Sequence, residues 1–174
     1  MLEDDFLFTA ETKIERLMDV LESHREVGLV AGSLIHGSNR QAHAVDFHLH
    51  NGTFTEVASS GLIRVTDRGT PYRLCDKAYN FFLARREMLA EHRWQDALKV
   101  GEHSAFFADV KQAGKWLVAQ CPAVAAVHDQ SGRSAAYQTS RARAVGFMRR
   151  WHGTPDRNGF VQQKQVRGVH QGSR

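Results

Sequence analysis

Cysteines, long apolar runs and a signal-type leader are what this sequence lacks. Its 174 residues include only two cysteines, Cys75 and Cys121, which are too few for a disulfide scaffold or a closed four-cysteine zinc site. No apolar run approaches the roughly 20 residues that a membrane-spanning helix needs. The acidic residues that begin at Glu3 are unlike the basic start of a signal peptide. These absences exclude secreted miniproteins and membrane spans as descriptions of the chain, and we expect a cytoplasmic protein.

The composition is that of an ordinary globular domain, with 42% hydrophobic and 24% charged residues. This length is sufficient for one domain with its own core. The charge is lopsided: residues 1–27 carry eight acids and three bases, whereas residues 133–174 carry nine bases and one acid. An acidic end is suited to a metal ion and a basic end to phosphate, although a solvated helix face gives the same pattern.

The spacing of apolar residues predicts a chain in which helices alternate with strands. Residues Thr12–Ser23 are predicted to form an amphipathic helix, opened by a capping box between Thr12 and Glu15. A second helix is expected over about Ser104–Ala113, ended by Gly114. Strands are expected at Val27–Ala31, 45–49, Thr53–Ala58, Asn80–Ala84, Trp116–Ala119 and Val124–Val127.

Turn signals and the ends of the chain complete this outline. Gly32 is expected to end the first strand and to open a loop to Arg40, whereas Asn51-Gly52 predicts an antiparallel hairpin. A basic helix is expected around residues 137–151, followed by a disordered basic tail over 153–174. Alternating helices and strands with one hairpin predict an α/β domain over residues 1–152, with a mixed sheet flanked by helices.

Three clusters of side chains carry the chemistry that the sequence offers. The triplet Glu3-Asp4-Asp5 has the oxygen ligands that Mg²⁺ and Mn²⁺ prefer, although three acids at a chain start are more often solvated. Glu102-His103 lies at the expected start of the second helix, where a carboxylate beside an imidazole suits a general base and an acid also favours the helix itself. His128 follows an apolar strand and is a candidate metal ligand or a hydrogen-bonded surface residue.

A rival metal site is offered by Asp46, His48 and His50, which share one face of a strand, with His36 and His43 upstream. Two histidines at i and i+2 suit zinc, as in metal-dependent hydrolases. A solvent-facing polar stripe explains the same alternation and is the interpretation that we favour, because no second pair of acid and histidine completes such a site.

Five segments occur in order between residues 2 and 151. They are Leu2–Thr9, Thr12–Leu17, Cys75-Asp76 with Asn80–Arg85, the block from Trp94 to Gly114, and Cys121-Pro122 with Val127–Asp129. Together they resemble the GT-A glycosyltransferases, in the branch that includes β-1,4-N-acetylgalactosaminyltransferases and related bacterial and phage enzymes. The first segment resembles that family's D-x-D type metal motif, with a glutamate where the first aspartate is usual.

The resemblance implies an inverting, metal-dependent transfer from a nucleotide-sugar donor to a hydroxyl group of a glycan, lipid or modified-DNA acceptor. Glu3, Asp5 and His128 would hold Mn²⁺ or Mg²⁺, and Asp4 would support them or contact the ribose. The divalent cation would take up charge on the leaving diphosphate.

The same resemblance assigns the remaining roles. Glu102 or His103 would deprotonate the acceptor hydroxyl, and Arg141 and Arg143 on the basic helix would bind phosphate. It also implies nucleoside-binding units before the metal motif, so we expect a partial GT-A fold, its C-terminal half. Such a chain is a fragment, one half of a split enzyme completed by a separate chain, or a decayed remnant. A second interpretation is a non-catalytic remnant that binds nucleic acid or a partner subunit through its basic C-terminal end.

Overall fold

The computed structural model describes residues 5–50, 53–94, 101–129, 131 and 139. The helices in these residues are α1 (Ile14–Ser23), α2 (Arg86–Glu91) and α3 (Glu102–Ala113). The strands are β1 (Phe6–Leu7), β2 (Val27–His36), β3 (Asn39–Gln41), β4 (Ala44–His50), β5 (Thr53–Ala58), β6 (Arg64–Val65), β7 (Pro71–Cys75), β8 (Lys77–Ala78), β9 (Phe82–Ala84) and β10 (Leu117–His128).

The strands form two sheets. The larger sheet has the order β3-β2-β10-β7-β6, with β9 also paired to β2 and β1 also paired to β10. β2 and β10 run parallel, and their neighbours pair with them antiparallel. The smaller sheet is antiparallel and has the order β5-β4-β8. This mixed sheet with flanking helices confirms the predicted α/β class.

Each face of the larger sheet has its own core. On one face, Leu17 and Leu21 of α1 pack against the sheet in a cluster that includes Phe81. On the other face, Phe106 and Phe107 of α3 pack in a cluster that also receives residues of the smaller sheet. Because both faces are covered, β2 is an almost continuous buried apolar run rather than an alternating one.

The sequence predicts that Gly32 ends the first strand, but Gly32 lies inside β2. A β-carbon at this position would come within 2.6 Å of the Phe81 ring and 3.0 Å of the Val124 carbonyl oxygen. The Gly32 N–H donates to the Phe81 carbonyl at 2.9 Å. A glycine is therefore needed at position 32, because Phe81 and the backbone of Val124 come too close for any side chain. The loop expected up to Arg40 is instead the rest of β2, a tight turn at Gly37 and the strand β3.

Two other local predictions were wrong. The capping box is absent, because α1 begins after Lys13 and the Thr12 hydroxyl donates to the Ala125 carbonyl at 2.7 Å instead of bonding the helix. The two strands expected at Trp116–Ala119 and Val124–Val127 are one long strand, β10. In both cases a contact with distant sequence decides the local structure.

Other predictions are confirmed. The hairpin strands β4 and β5 pair antiparallel from Val45 opposite Ala58 onward. Helix α3 ends at Gly114, whose left-handed backbone (φ 68°) suits a helix C-terminus. None of the helices in the described ranges is long and apolar enough to cross a bilayer. The expected basic helix around 137–151 and the tail over 153–174 lie outside the described residues.

Candidate active site at the carboxyl edge of the sheet

Asp5 and His128 meet where the larger sheet ends. His128 is the last residue of β10, and Asp5 directly precedes β1, which pairs antiparallel with β10 in the register Phe6 opposite His128. Their side chains approach to 2.9 Å between Nε2 of His128 and Oδ2 of Asp5. The Asp129 N–H donates to the Asp5 carbonyl at 2.8 Å, and the Phe6 ring packs edge-on against the imidazole. Backbone pairing and ring packing together hold the two side chains in place.

A bulge in β10 lies just before this pair. Gln120 is in register with Ala31 of β2, and the next paired residue, Ala125, is in register with Ser33. Four residues of β10, 121–124, therefore lie opposite a single residue of β2. Bulges of this kind bend a strand and redirect the side chains that follow.

The bulge decides which face of the sheet His128 occupies. Before it, Val118 belongs to the core under α3, and after it, Ala126 belongs to the core under α1. Both positions are even-numbered, so regular alternation would have placed them on the same face. His128 follows Ala126 by two residues and therefore points to the α1 side, where Asp5 and Phe6 lie.

The chemistry of this pair fits a divalent cation. A carboxylate oxygen and an imidazole nitrogen are both ligands that Mn²⁺ accepts. The observed separation of 2.9 Å is that of a hydrogen bond, which the two side chains would exchange for bonds to an ion. Among the residues that the structure describes, no three histidine, cysteine or acidic side chains are grouped to hold a metal ion. The expected third ligand, Glu3, lies outside them.

The rival zinc cluster is not assembled among the described side chains. The His36 ring lies against His128, with ring centroids 4.9 Å apart, and the His43 ring lies against Tyr79 at the same separation. Asp46 is half-buried and His48 is exposed. The side chain of the remaining candidate, His50, lies outside the described residues.

His36 is a residue that the sequence analysis did not connect with the candidate site. It ends β2, and because β2 and β10 are parallel, His36 and His128 reach the same edge of the sheet. The signal was present in the sequence as a second histidine at the end of an apolar strand. The prediction that Gly32 ends this strand, four residues earlier, placed His36 in a loop and not at a strand end.

Glu102 and His103 form a second cluster at the start of α3. Their side chains are 24% and 29% exposed, and Oε1 of Glu102 lies 3.9 Å from Nε2 of His103, which is an ion-pair distance. Trp94 packs edge-on against the His103 ring and stacks on Phe106, with centroids 3.9 Å apart in the stacked pair. Oε2 of Glu102 is buried and has no hydrogen-bond partner among the described residues.

The direction of α3 brings this cluster toward the same edge. Lys111, near the end of the helix, pairs with Asp76 at 2.8 Å, and Asp76 follows Cys75, which is in register with Val118 near the beginning of β10. The helix therefore runs back along the sheet, antiparallel to β10, and its first turn faces the carboxyl edge. The two clusters lie on opposite faces of the sheet, because α3 covers one face and the Asp5–His128 pair points to the other.

Four of the predicted site residues cannot be placed in this arrangement. Glu3, Asp4, Arg141 and Arg143 all lie outside the described residues. The residues that the structure does place form two pairs, Asp5 with His128 and Glu102 with His103.

The sequence of this chain is also similar to that of a known protein. No protein-family model matches the chain. Over 127 residues it is 35% identical to β-1,4 N-acetylgalactosaminyltransferase 2 of the mouse, Mus musculus. The chain is related to a glycosyltransferase. The similarity covers 73% of this chain but 24% of the mouse enzyme, so the chain spans about a quarter of the length of that relative.

Proposed function

We propose that this chain carries the acceptor and catalytic part of a glycosyltransferase that acts with inversion on a nucleotide-sugar donor and depends on a divalent cation. The observation that carries the proposal is the pairing of Asp5 with His128 at the sheet edge toward which the first turn of α3 is directed. The mouse relative supports a hexosyl or N-acetylhexosaminyl group as the transferred sugar, with N-acetylgalactosamine the first to test.

In this proposal, Asp5 and His128, together with Glu3, hold Mn²⁺ or Mg²⁺. A bound cation of this kind would supply positive charge for the leaving diphosphate. The short backbone ladder between β1 and β10 keeps the carboxylate and imidazole in position before the ion arrives. Asp4 supports these ligands or contacts the ribose, and Arg141 and Arg143 contribute positive charge for phosphate.

Glu102 is the residue that we propose as general base, ahead of His103. The Glu102 side chain is 24% exposed and is therefore accessible to an acceptor hydroxyl, whereas its Oε2 atom is buried and has no hydrogen-bond partner among the described residues. The Glu102 carboxylate takes the hydroxyl proton as the oxygen bonds to the anomeric carbon, and the bond from that carbon to the diphosphate oxygen breaks. The nucleoside diphosphate leaves with the electron pair, which inverts the anomeric configuration.

The donor site is expected to need more than this chain. The similarity covers about a quarter of the mouse relative's length, so we propose that a nucleoside-binding segment is supplied by further sequence or by a separate chain. Such a segment would contact the base and ribose of the donor, while the residues named above act on the diphosphate and on the acceptor.

The proposal is tested first by metal binding. Titration calorimetry with Mn²⁺ and a nucleoside diphosphate should give binding that Asp5→Ala abolishes. Asp129→Ala is the matched control, because this neighbouring carboxylate is exposed and bonds the Ser131 backbone rather than His128. Equal affinity in the Asp5→Ala variant would remove Asp5 from the metal site.

Activity is the second test. Release of nucleoside diphosphate from a panel of nucleotide sugars should require Mn²⁺ or Mg²⁺ and should include the N-acetylgalactosamine donor. If the chain instead binds nucleic acid with a steep salt dependence and turns over no donor, even with the remaining sequence supplied, the non-catalytic interpretation is correct.

A further inference from the structure

Lys77 is a buried cation that joins three elements. It lies in β8 with its side chain 11% exposed, and its Nζ donates to Oε1 of Glu56 at 2.8 Å and to Oγ of Ser104 at 2.6 Å. Glu56 belongs to β5 and Ser104 to the first turn of α3. One ammonium group therefore attaches the start of the helix to the smaller sheet.

The first turn of α3 has no side-chain cap at its start. The residue before the helix is Gly101, whose backbone is left-handed (φ 82°) and which has no side chain to accept from the first N–H groups. Glycine is tolerated at this position, but it supplies no side-chain acceptor to the first turn. The bond from Lys77 to the buried Ser104 hydroxyl is an anchor that acts from a neighbouring element instead.

Helix stability alone does not explain a lysine at this place. A positive charge near a helix N-terminus opposes the helix dipole, and a buried ammonium group costs free energy unless it is paired. Glu56 offsets the charge, but an apolar residue between β8 and α3 would have avoided both costs. The polar arrangement provides defined distances and directions at Ser104, which apolar packing specifies less tightly.

We propose that Lys77 is a positioning residue for Glu102, an inference that rests on the role proposed above for that carboxylate. Ser104 is 1% exposed and follows Glu102 by two residues, which is about 200° around the helix. Lys77 holds Ser104 on the buried side of the turn. Glu102, on the opposite side, is thereby held toward the acceptor. A misplacement of about 1 Å at a reacting group reduces rates by about 10²-fold, so this anchor controls turnover.

The same helix provides a matched control at its other end. Lys111 pairs with Asp76 at 2.8 Å, nine residues after Glu102, and also attaches α3 to the chain around β8. Lys77→Met and Lys111→Met therefore each remove one lysine anchor from one helix, but Lys77 alone is bonded to the turn that carries Glu102.

The kinetic experiment combines these variants with Glu102→Gln, using the enzyme completed with its donor-binding segment. We expect Lys77→Met to lower kcat by about 10–100-fold with the donor KM within twofold, and Lys111→Met to change kcat by less than about threefold. In the Glu102→Gln background, Lys77→Met should have no further effect, because it acts through that carboxylate. Equal losses in the two lysine variants, or losses that multiply with Glu102→Gln, would overturn the proposal.

A second measurement does not depend on activity. Since Lys77→Met leaves Glu56 without its buried partner, Lys77→Met/Glu56→Leu replaces both charges and preserves folding. We expect amide hydrogen exchange at Ala105–Phe107 to become at least about tenfold faster in this double variant, with no change at Asp109–Ala113. Unchanged exchange at Ala105–Phe107 would disprove the anchor. If the wild type turns over no donor, the proposed sugar transfer fails, while this exchange result still decides whether Lys77 holds the turn.

Discussion

The two candidate clusters, Asp5–His128 and Glu102–His103, are built in different ways. Asp5 and His128 are 123 residues apart in sequence and are joined by strand pairing, a ring contact and a bulge in β10. Glu102 and His103 are neighbours at the start of one helix, and their position depends on side chains that attach this helix to the smaller sheet. A ladder of backbone bonds thus supports the proposed metal ligands, whereas buried side chains support the proposed base.

This difference indicates where each cluster is vulnerable. Backbone pairing does not depend on the identity of the paired side chains, so the Asp5–His128 geometry should survive most substitutions around it. The first turn of α3 is held by the bond from Lys77 to Ser104 and by the packing of Trp94, so single side-chain changes there should alter the position of Glu102. Variants that disturb one cluster and spare the other test this comparison directly.

The largest expected effect is at the second cluster. Glu102→Gln should lower sugar transfer by about 10²–10⁴-fold while Mn²⁺ binding stays within twofold, because the lost group is the proposed base and not a proposed metal ligand. Glu87→Gln is the control, since this glutamate lies in the first turn of α2 and is exposed. If His103→Ala shows the large loss and Glu102→Gln does not, then the imidazole is the base.

The first cluster should respond in the opposite way. His128→Ala should weaken Mn²⁺ binding by about 10²-fold or more, measured by calorimetry, because it removes one of the two proposed ligands that the structure places. Hydrogen exchange in α3 should stay at the wild-type rate. His36→Ala should weaken the metal less than His128→Ala does, since His36 packs against the ligand ring. An equal loss in both variants would make His36 a ligand as well.

Acid should lower the stability of the whole fold through His43, which lies near Lys77 and Glu56. Burial, then the charge of Lys77, lowers the pKa of His43 to about 4, with Glu56 opposing the shift. The unfolded chain binds a proton at His43 below about pH 6.5, but the folded chain binds it only near pH 4, so the free energy of unfolding falls as the pH drops through this window.

Replacement of this histidine measures the size of that effect. Between pH 7 and pH 4, His43→Gln should lose about 3 kcal/mol less unfolding free energy than the wild type, measured by urea denaturation at each pH. Parallel pH profiles in the two proteins would show that His43 is free to ionise in the folded state.

The smallest expected effect is at the far end of α3. Gly114→Ala should lower the free energy of unfolding by about 1 kcal/mol, because the left-handed backbone at this C-terminus disfavours a β-carbon. No contact blocks the added methyl group, so the cost is conformational. Sugar transfer should stay within twofold, since the first turn is anchored separately. A larger kinetic loss would mean that the helix moves as one rigid unit.

The parts of the fold that the sequence predicted are those that local chemistry determines. The end of α3 followed from Gly114, and the hairpin of β4 and β5 followed from Asn51-Gly52 between alternating strands. The strand through Gly32 could not be predicted, because the reason for that glycine is the approach of Phe81, which lies far away in sequence. The continuity of β10 across its bulge depends in the same way on β2.

The residues of the candidate site also differ in whether local sequence could predict them. Glu102-His103 was found from local pattern as a helix start with a carboxylate beside an imidazole. No local pattern joins Asp5 to His128, and only the order of motifs shared with known glycosyltransferases suggested the pair. The role of Lys77 was not foreseen, because a single lysine among strand residues gives no sign that it will be buried against a helix.

The face of the sheet that His128 occupies depends on whether the number of extra residues in the β10 bulge is odd or even. The segment 121–124 provides three residues more than its partner strand needs. Removing two of them would keep the downstream side chains on their present face, whereas removing one or three would turn His128 away from Asp5. Length variation in this segment should therefore occur in steps of two among functional relatives. A single-residue deletion would therefore separate His128 from Asp5 and disrupt the proposed metal site.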